Sequence, residues 1–393
     1  MSTHISAATA AKRLNVSRAT LYAYVSRGSI RSRAIPGKRS REYALDDIER
    51  LAKHKRGRRD PAGVAEQALE FEGLPVLRSE LCLIDAGRLY YRGRDAVALS
   101  RESRFESVAA LLWDGPCSVA GPEPRPSVAT RRALAAFHFA AAGQCHLAAV
   151  QAGDYRSYDL SPDSVRRTGA KILSELARLA AGFPDASASV SVAEVLCEAW
   201  GQRRRPAQQA LEAALILCAD HELNASAFTA RVIASAGATP YMAVIGALGA
   251  LSGHRHGGAT ERVMELLDER GDALDLIGER LRRGESLPGF GHPLYPEGDP
   301  RAVRLLALCP RSNERSRAAA VENAAWRALG VRPNVDFGLA TLSRCMGWPR
   351  QAPFILFALG RSAGWIGHAI EQYRSGALIR PRARYIGPAP EGS

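Results

Sequence analysis

The chain of 393 residues lacks any long apolar run, although 46% of its residues are hydrophobic. A membrane-spanning helix needs about 20 consecutive apolar residues, so the sequence predicts no membrane span. The N-terminus also lacks the apolar core of a secretion signal. With 24% charged residues, the composition is typical of a globular protein with a sizeable core, and we expect it in the cytoplasm.

Paired cysteines are also missing. The seven cysteines are scattered, odd in number and form no Cys-x-x-Cys pair, whereas disulfide frameworks and zinc sites need such pairs. His254 and His256 lie two residues apart, but no carboxylate or cysteine nearby in the sequence completes a coordination sphere. We therefore predict a reduced protein without a bound metal, whose cysteines are small buried residues.

What the chain does contain is positive charge concentrated at one end. The net charge is +13, and residues 1–60 account for +10 of it, with 15 Lys and Arg against 5 Asp and Glu. The rest of the chain is therefore nearly neutral. Such asymmetry is typical of a nucleic-acid-binding segment attached to an otherwise ordinary body.

Residues 4–51 have the pattern of a small helix-turn-helix with a wing. One helix ends near Leu14, a second covers 18–27, and alternation around Pro36-Gly37 predicts a hairpin. The segment resembles DNA-binding domains of the MerR and excisionase type. A basic dimerisation or docking module is the alternative interpretation.

In that resemblance, polar residues of the second helix enter the DNA major groove and the basic wing contacts phosphates. The residues predicted to face DNA are Arg18, Thr20, Tyr24, Lys38, Arg39 and Arg41. Residues 1–55 would form this winged domain, and residues 56–68 would form a charged linker.

From residue 69 onwards the sequence is rich in alanine and leucine with a helical period, and the fold class is predicted to be mainly α. A short hairpin around Asp85-Ala-Gly-Arg comes first. Helices are then predicted at 128–141, 163–181, 192–201, 207–222, 226–236, 240–252, 260–269, 273–283, 301–308, 315–329, 337–346 and 353–374.

Three histidines and an aspartate lie in compact frames within this body. The frames are His221-Glu-Leu-Asn-Ala-Ser, His256-Gly-Gly, Gly289-Phe-Gly-His292, Asp299-Pro-Arg301 and Pro333-Asn-Val-Asp336. Taken singly they have structural interpretations: His221 would end a helix, Asp336 would cap one and Asp299-Pro-Arg301 would begin one. Together they supply a carboxylate base, neutral donors for an enolate and an arginine for a carboxylated acceptor.

The order and spacing of these frames resemble the citrate synthase family. His221, His256, His292 and Asp336 are separated by 35, 36 and 44 residues. A segment around Arg361 and another that begins at Ile379-Arg380 also agree, so that the resemblance covers residues 74–388. It implies a large helical domain, formed by residues 69–258 and 346–393. A small helical domain, residues 259–345, would be inserted in it.

The resemblance also implies a role for each residue. Asp336 would remove a proton from the methyl group of acetyl-CoA, His256 would donate to the thioester oxygen, and His292 would polarise the keto group of oxaloacetate. The residues that would hold oxaloacetate are His221, His292, Arg301, Arg361 and, across a homodimer interface, Arg380. Hydrolysis of citryl-CoA would complete this acyltransferase reaction of the tricarboxylic acid cycle, with no metal or redox cofactor.

Three segments depart from the family's usual pattern and leave the acyl chain open. They are His254-Arg255, Pro293-Leu-Tyr-Pro296 and Phe337-Gly-Leu, all expected to line the region where acyl-CoA meets the acceptor. Propionyl-CoA, giving 2-methylcitrate, is one alternative, since a methylene contributes only about 1–3 kcal/mol of discrimination. Another is a transcription regulator whose synthase-like domain binds a metabolite without turning it over.

Overall fold

The computed structural model describes residues 4–14, 16, 21, 24–25, 30–34, 41–45, 47–48, 77–117, 125–184, 191–202, 204–381 and 385–388. The chain divides into two compact units: Met1–Arg78 with Arg380–Ser393, and Ser79–Ile379.

The first unit contains a small antiparallel sheet and a helix. Its elements are β1 (His4–Ser6), α1 (Ala7–Leu14), β2 (Ser32–Ala34) and β3 (Arg41–Ala44), with the strand order β1-β3-β2. Buried side chains form a separate apolar cluster: Ala10, Ala11, Leu14, Leu21, Ile30, Tyr43 and Ile48. β2 and β3 pair antiparallel on either side of the predicted Pro36-Gly37 turn, which lies outside the described residues.

The second unit begins with the predicted hairpin. β4 (Cys82–Asp85) pairs antiparallel with β5 (Arg88–Tyr91), and the short β6 (Arg94–Asp95) extends the sheet. Ala86 and Gly87 have φ values of 46° and 73°. Two consecutive residues with positive φ match the twist of a two-residue hairpin turn.

The rest of this unit is helical. Its described helices are α2 (Ala96–Glu102), α3 (Phe105–Trp113), α4 (Val128–Ala135), α5 (Phe139–Ala152), a 3-10 helix (Tyr155–Tyr158), α6 (Pro162–Ala180), α7 (Val192–Ala199), α8 (Arg205–Cys218), α9 (Ala225–Ser235), α10 (Pro240–Leu251), α11 (Ala259–Asp268), α12 (Ala273–Arg282), α13 (Pro300–Ala307), α14 (Asn313–Leu329), α15 (Val335–Met346) and α16 (Ala352–Ser375). None of these helices is both long and apolar enough to span a membrane.

Most predicted helices begin and end within two residues of the observed ones, but two are wrong. The helix predicted at 128–141 is divided into α4 and α5, because His138 has extended backbone with ψ 148°. The helix predicted at 207–222 ends at Cys218, and Glu222 takes a φ of 53°. His221 therefore lies in a loop and does not end a helix.

The long helix α16 lies at the centre of the main core. It packs against α3, α6, α8, α9 and α10, and nearly all of its residues up to Gln372 are buried, as expected for a helix that is apolar on every side. Two glycines allow close approach to α8. A Cβ atom at Gly360 would lie 2.5 Å from Leu215 O, and one at Gly364 would lie 2.4 Å from Ala219 O.

Helices α11 to α15 surround a second apolar cluster that includes Val263, Ile277, Val321, Phe337 and Ala340. The helix α15 joins the two cores, because Phe337 and Ala340 pack in this cluster whereas Leu339 and Leu342 pack in the main core. The start of α15 is thus fixed from two sides.

Candidate active site

The loop that precedes His292 and the segment that precedes Asp336 are held side by side. Two backbone hydrogen bonds join them: Gly291 N to Arg332 O at 2.8 Å, and Asn334 N to Gly289 O at 2.9 Å. Gly289 has a φ of +83°, and a Cβ atom there would lie 2.7 Å from a methyl of Val263. Only glycine meets both conditions. The two hydrogen bonds make the frames of His292 and Asp336 one local structure.

Asp336 is the second residue of α15 and does not cap it. The side chain of Asn334 accepts hydrogen bonds from the backbone N of Asp336 at 3.0 Å and of Phe337 at 3.4 Å, so the predicted capping role of Asp336 is wrong. Its Oδ1 is buried and has no hydrogen-bond partner among the described residues. Burial raises the pKa of Asp336 to about 7, against the opposing charge of Arg301. The carboxylate is free to act as a base.

Asp299 begins α13, as predicted, and binds Arg301. Its Oδ1 accepts from the backbone N of Arg301 at 3.0 Å, and its two oxygens accept from the guanidinium at 2.9 and 2.8 Å. Its Oδ2 also accepts from Val335 N at 3.0 Å. One carboxylate therefore orients the buried Arg301 and ties α13 to the start of α15.

Arg361, in the middle of α16, is 1% exposed. Its Nε donates to Cys218 O at 2.8 Å, and its guanidinium carbon lies 4.8 Å from the ring centre of Phe357. No carboxylate within the described ranges forms an ion pair with it. Burial lowers the pKa of Arg361, with Asp220 acting in the opposite direction. A buried guanidinium without a paired carboxylate is suited to binding an anionic ligand.

The three predicted site histidines have lowered pKa values. Burial lowers the pKa of His256 to about 4 and also lowers that of His292, and nearby arginines add to both shifts. Burial lowers the pKa of His221 furthest, followed by the charges of Arg301 and Arg361 and of the other two imidazoles. All three rings are neutral at pH 7. Because these histidines and arginines influence one another's pKa values, the five chain segments that carry them lie close together.

The hydrogen bonds of His292 define which ring nitrogen carries its proton. Leu294 N donates to His292 Nδ1 at 3.2 Å. A neutral imidazole has one donor and one acceptor nitrogen, so the proton of His292 lies on Nε2.

His256 follows α10 in a turn where Gly257 avoids contact with Leu251, since a Cβ atom there would lie 2.8 Å from that side chain. Its Nε2 lies 2.8 Å from the hydroxyl of Ser226, which also accepts from Trp365 Nε1 at 3.1 Å. The Ser226 proton can go to His256 or to Asn224 Oδ1, which is 2.8 Å away. When His256 receives it, Nδ1 of the neutral ring is the donor.

Two polar contacts of this region escaped the sequence analysis. Tyr295, noted only as part of a departure, lies 3.0 Å from His221 through its hydroxyl. His368 and Asp220 form a fully buried pair at 3.3 Å. Burial lowers the pKa of His368, but Asp220 and Glu371 outweigh it and raise the value to about 9. No spacing rule links these residues, because the contacts join segments that are distant in sequence.

The remaining predicted residues lie in the first unit. Arg18, Thr20, Lys38 and Arg39 lie outside the described residues. Tyr24, predicted to face outward, is partly buried against the apolar cluster of this unit. The exposed Arg41 donates through Nε to Ser32 Oγ at 3.0 Å, and Arg380 is exposed. Within the described ranges, no group of three His, Cys, Asp or Glu side chains could hold a metal ion.

A carboxylate with a raised pKa, three neutral imidazoles and two buried arginines within a mainly helical protein are the groups that enolisation beside a carboxylated acceptor would need. The family model for "Citrate synthase, C-terminal domain" matches residues 70–382. The chain therefore belongs to the citrate synthase family.

Individual relatives agree with this assignment. Citrate synthase of Haloferax volcanii is 34% identical over 358 residues, which cover 80% of this chain and 94% of that protein. A 2-methylcitrate synthase of Corynebacterium glutamicum is 38% identical over 191 residues, 45% of this chain and 49% of that one. The solved structure of Thermoplasma acidophilum citrate synthase with carboxymethyl coenzyme A and oxaloacetate has a TM-score of 0.70 and 26% identity, covering 81% and 96% of the two chains.

Proposed function

We propose that the chain condenses acetyl-CoA with oxaloacetate and hydrolyses the resulting citryl-CoA to citrate and CoA. The observation that carries the proposal is the unpartnered carboxylate oxygen of Asp336 at a site with two buried arginines. With a pKa of about 7, Asp336 is ionised in part at neutral pH and is more basic than an ordinary carboxylate. Both properties favour removal of a proton from carbon.

Enolisation needs a donor at the thioester oxygen. His256 supplies it through Nδ1 when the Ser226 hydroxyl donates to its Nε2, 2.8 Å away. A neutral imidazole is appropriate, because the low pKa of His256 keeps the ring uncharged and its acidity close to that of an enol. Asp336 takes the methyl proton while His256 stabilises the developing oxyanion.

The acceptor is oriented by the other residues. The Nε2–H of His292 polarises the keto oxygen of oxaloacetate, so that the enol carbon attacks its carbonyl carbon. Arg301, Arg361 and His221 hold the carboxylates, and Arg380 would reach the site of the second copy in a homodimer. Water then attacks the thioester carbon of citryl-CoA, and the CoA thiol leaves.

This chemistry needs water to be excluded until condensation is complete. In the proposed division, residues 259–345 form a small domain that closes on a large domain of residues 69–258 and 346–393. The separate cluster around Phe337 supports that division, and the loop carrying His292 would move with Asp336 because backbone hydrogen bonds join their segments.

The decisive experiment is thiol release from acetyl-CoA, with and without oxaloacetate. We expect release that depends on oxaloacetate, with citrate as the product. No release from either acetyl-CoA or propionyl-CoA, together with tight oxaloacetate binding, would show a metabolite sensor instead of an enzyme.

The acyl chain deserves a separate comparison of acetyl-CoA with propionyl-CoA. Of the residues expected to line the site, Phe337 is fully buried against Phe290, and Gly338 packs against Leu305 of α13. Both residues contribute to helix packing, and their role in acyl-chain selectivity stays a prediction. Leu294, from another of the departing segments, is exposed and is a further candidate. A higher kcat/KM for propionyl-CoA would favour 2-methylcitrate synthesis.

A second candidate function, DNA binding, is favoured by the charge of the first unit. Residues 1–60 carry a net charge of +10, and the described part of that unit combines an antiparallel pair of strands with its own apolar cluster. A homodimer would present two such units and favour a palindromic site.

A gel-shift assay tests this candidate with the full chain and with a chain that lacks residues 1–60. We expect salt-sensitive binding by the full chain only. A Lys38→Glu/Arg39→Glu variant should bind more weakly, whereas Arg131→Glu/Arg132→Glu in the second unit should bind normally. Equal weak binding by both lengths of chain would contradict the proposal.

A further inference from the structure

Tyr295 lies among the groups that the proposed function assigns to the acceptor, yet no role has been given to it. It is 2% exposed, and its hydroxyl lies 3.0 Å from His221 Nε2. Its ring centre is 5.0 Å from that of His292, and the guanidinium carbon of Arg301 is 5.5 Å from it. Three acceptor-binding residues therefore surround one phenol.

The backbone fixes the direction of this phenol. Tyr295 lies between Pro293 and Pro296, whose rings restrict φ. Its backbone N donates to His292 O at 3.0 Å, and its backbone O accepts from Gly298 N at 3.0 Å. Two successive turns thus hold the side chain in a single place.

The protonation states of the two partners limit how they can interact. Burial, followed by the charges of Arg301 and Arg361, lowers the pKa of His221, so its ring is neutral. Burial raises the pKa of Tyr295, so its hydroxyl keeps its proton. Either the phenol donates to Nε2 and Nδ1 carries the ring proton, or Nε2 donates to the phenol and Nδ1 is a bare lone pair.

The proposed acceptor indicates which of these two states suits the site. Among the described residues, His221 Nδ1 has no hydrogen-bond partner, which leaves it available to a ligand. A carboxylate only accepts hydrogen bonds, and a bare lone pair on Nδ1 would repel it. The favourable arrangement has Tyr295 donating to Nε2 and Nδ1–H donating to the ligand.

We propose that Tyr295 is a positioning residue that holds His221 as its Nδ1–H tautomer, so that an uncharged ring presents a donor to a carboxylate of the acceptor. This inference rests on the proposed function for the identity of the acceptor. The tautomer itself is a property of the free protein and does not depend on turnover.

The test compares the full-length protein with Tyr295→Phe, which removes one oxygen. Histidine labelled with ¹⁵N reports the tautomer of each ring by NMR, and His221→Gln assigns the signal. We expect Nδ1–H in the wild type, a shift toward Nε2–H in Tyr295→Phe, and a KM for oxaloacetate raised by about 3- to 10-fold with little change in kcat.

Tyr373→Phe is the matched control, because it removes a phenol on α16 that donates to Ala238 O at 2.6 Å, whereas Tyr295 precedes α13. It should change neither the His221 signal nor the KM for oxaloacetate. An Nε2–H tautomer in the wild type would overturn the inference, as would a Tyr295→Phe protein with an unchanged signal and KM. A wild type with the Nδ1–H signal but no turnover would instead contradict the proposed function.

Discussion

Arg361 and Arg301 are both almost fully buried, yet the protein holds them in different ways. Arg361 is positioned by packing: α16 lies against α8 through glycines, and the guanidinium bonds a backbone carbonyl and lies over a phenyl ring. Arg301 is positioned by charge, because Asp299 binds it through both carboxylate oxygens.

The difference assigns separate tasks to the two regions. On α16 the guanidinium of Arg361 is buried without an ion pair. Its burial costs free energy in the free protein, but the charge stays available for an anion. Beside it, the charge of Arg301 is compensated, and the same carboxylate connects α13 to the helix that contains Asp336. In the proposed function, the packed region would supply binding energy for the acceptor, and the hydrogen-bonded region would align the base.

The largest expected effect tests this division through Asp336→Asn, which removes the base and preserves its shape. Because no other carboxylate is assigned to proton removal, we expect kcat to fall about 10³-fold. Oxaloacetate should bind nearly as in the wild type, since the arginines are intact. Steady-state kinetics and calorimetric titration measure the two effects, and loss of binding would mean that Asp336 has a structural role.

The two arginines should respond in opposite ways to removal of their charge. Arg301→Gln leaves Asp299 buried without its partner and should lower the free energy of unfolding by about 3–5 kcal/mol. Arg361→Gln removes a charge that has no ion pair and should leave stability unchanged or higher, while weakening oxaloacetate binding. Denaturant unfolding of both variants decides the matter, and equal stability losses would remove the distinction between the regions.

Packing at α16 can be tested with glycine substitutions. In Gly364→Ala the new methyl would lie 2.4 Å from Ala219 O and 2.6 Å from Asp220 Oδ1. We expect it to lower the free energy of unfolding by about 1–3 kcal/mol. Gly278→Ala in α12 is the control: its methyl would meet nothing within 4 Å, and helix propensity should stabilise it by about 0.5–1 kcal/mol. A Gly364→Ala variant with an unchanged free energy of unfolding would refute the packing argument.

The smallest effect concerns pH. Because the base must be ionised and the pKa of Asp336 is about 7, kcat/KM should rise with pH below 7 and level off above it. Because the pKa of Asp336 is raised by folding, its contribution to the stability of the folded protein is complete below its ordinary pKa of 3.8. That contribution is lost as the pH rises through about 7.

Unfolding measured at pH 5 and pH 8 checks the second part of this prediction. The stability of Asp336→Asn relative to the wild type should be higher at pH 8 than at pH 5, since the variant carries no charge to bury. A stability difference that is constant with pH would show that the carboxylate is not desolvated in the folded protein.

Much of this site could be predicted from its frames. The order and spacing of His221, His256, His292 and Asp336 resembled the citrate synthase family, and that resemblance implied a common site. Pro300 after Asp299 predicted the start of α13. The cap of α15 was assigned to Asp336 although Asn334 provides it, because both are good capping residues and only the backbone shows which one is used. The break at His138 was missed for a similar reason, since alanine and leucine continue on both sides.

By itself the sequence determined the residue types, their order and the helical period, because each of these is a local property of the chain. The tertiary structure alone decided which groups meet and in what state. It paired Arg301 but not Arg361, left Asp336 Oδ1 without a partner, and brought Tyr295 to His221. Burial and the charge of distant neighbours set these protonation states, and neither can be read from residues that adjoin in sequence.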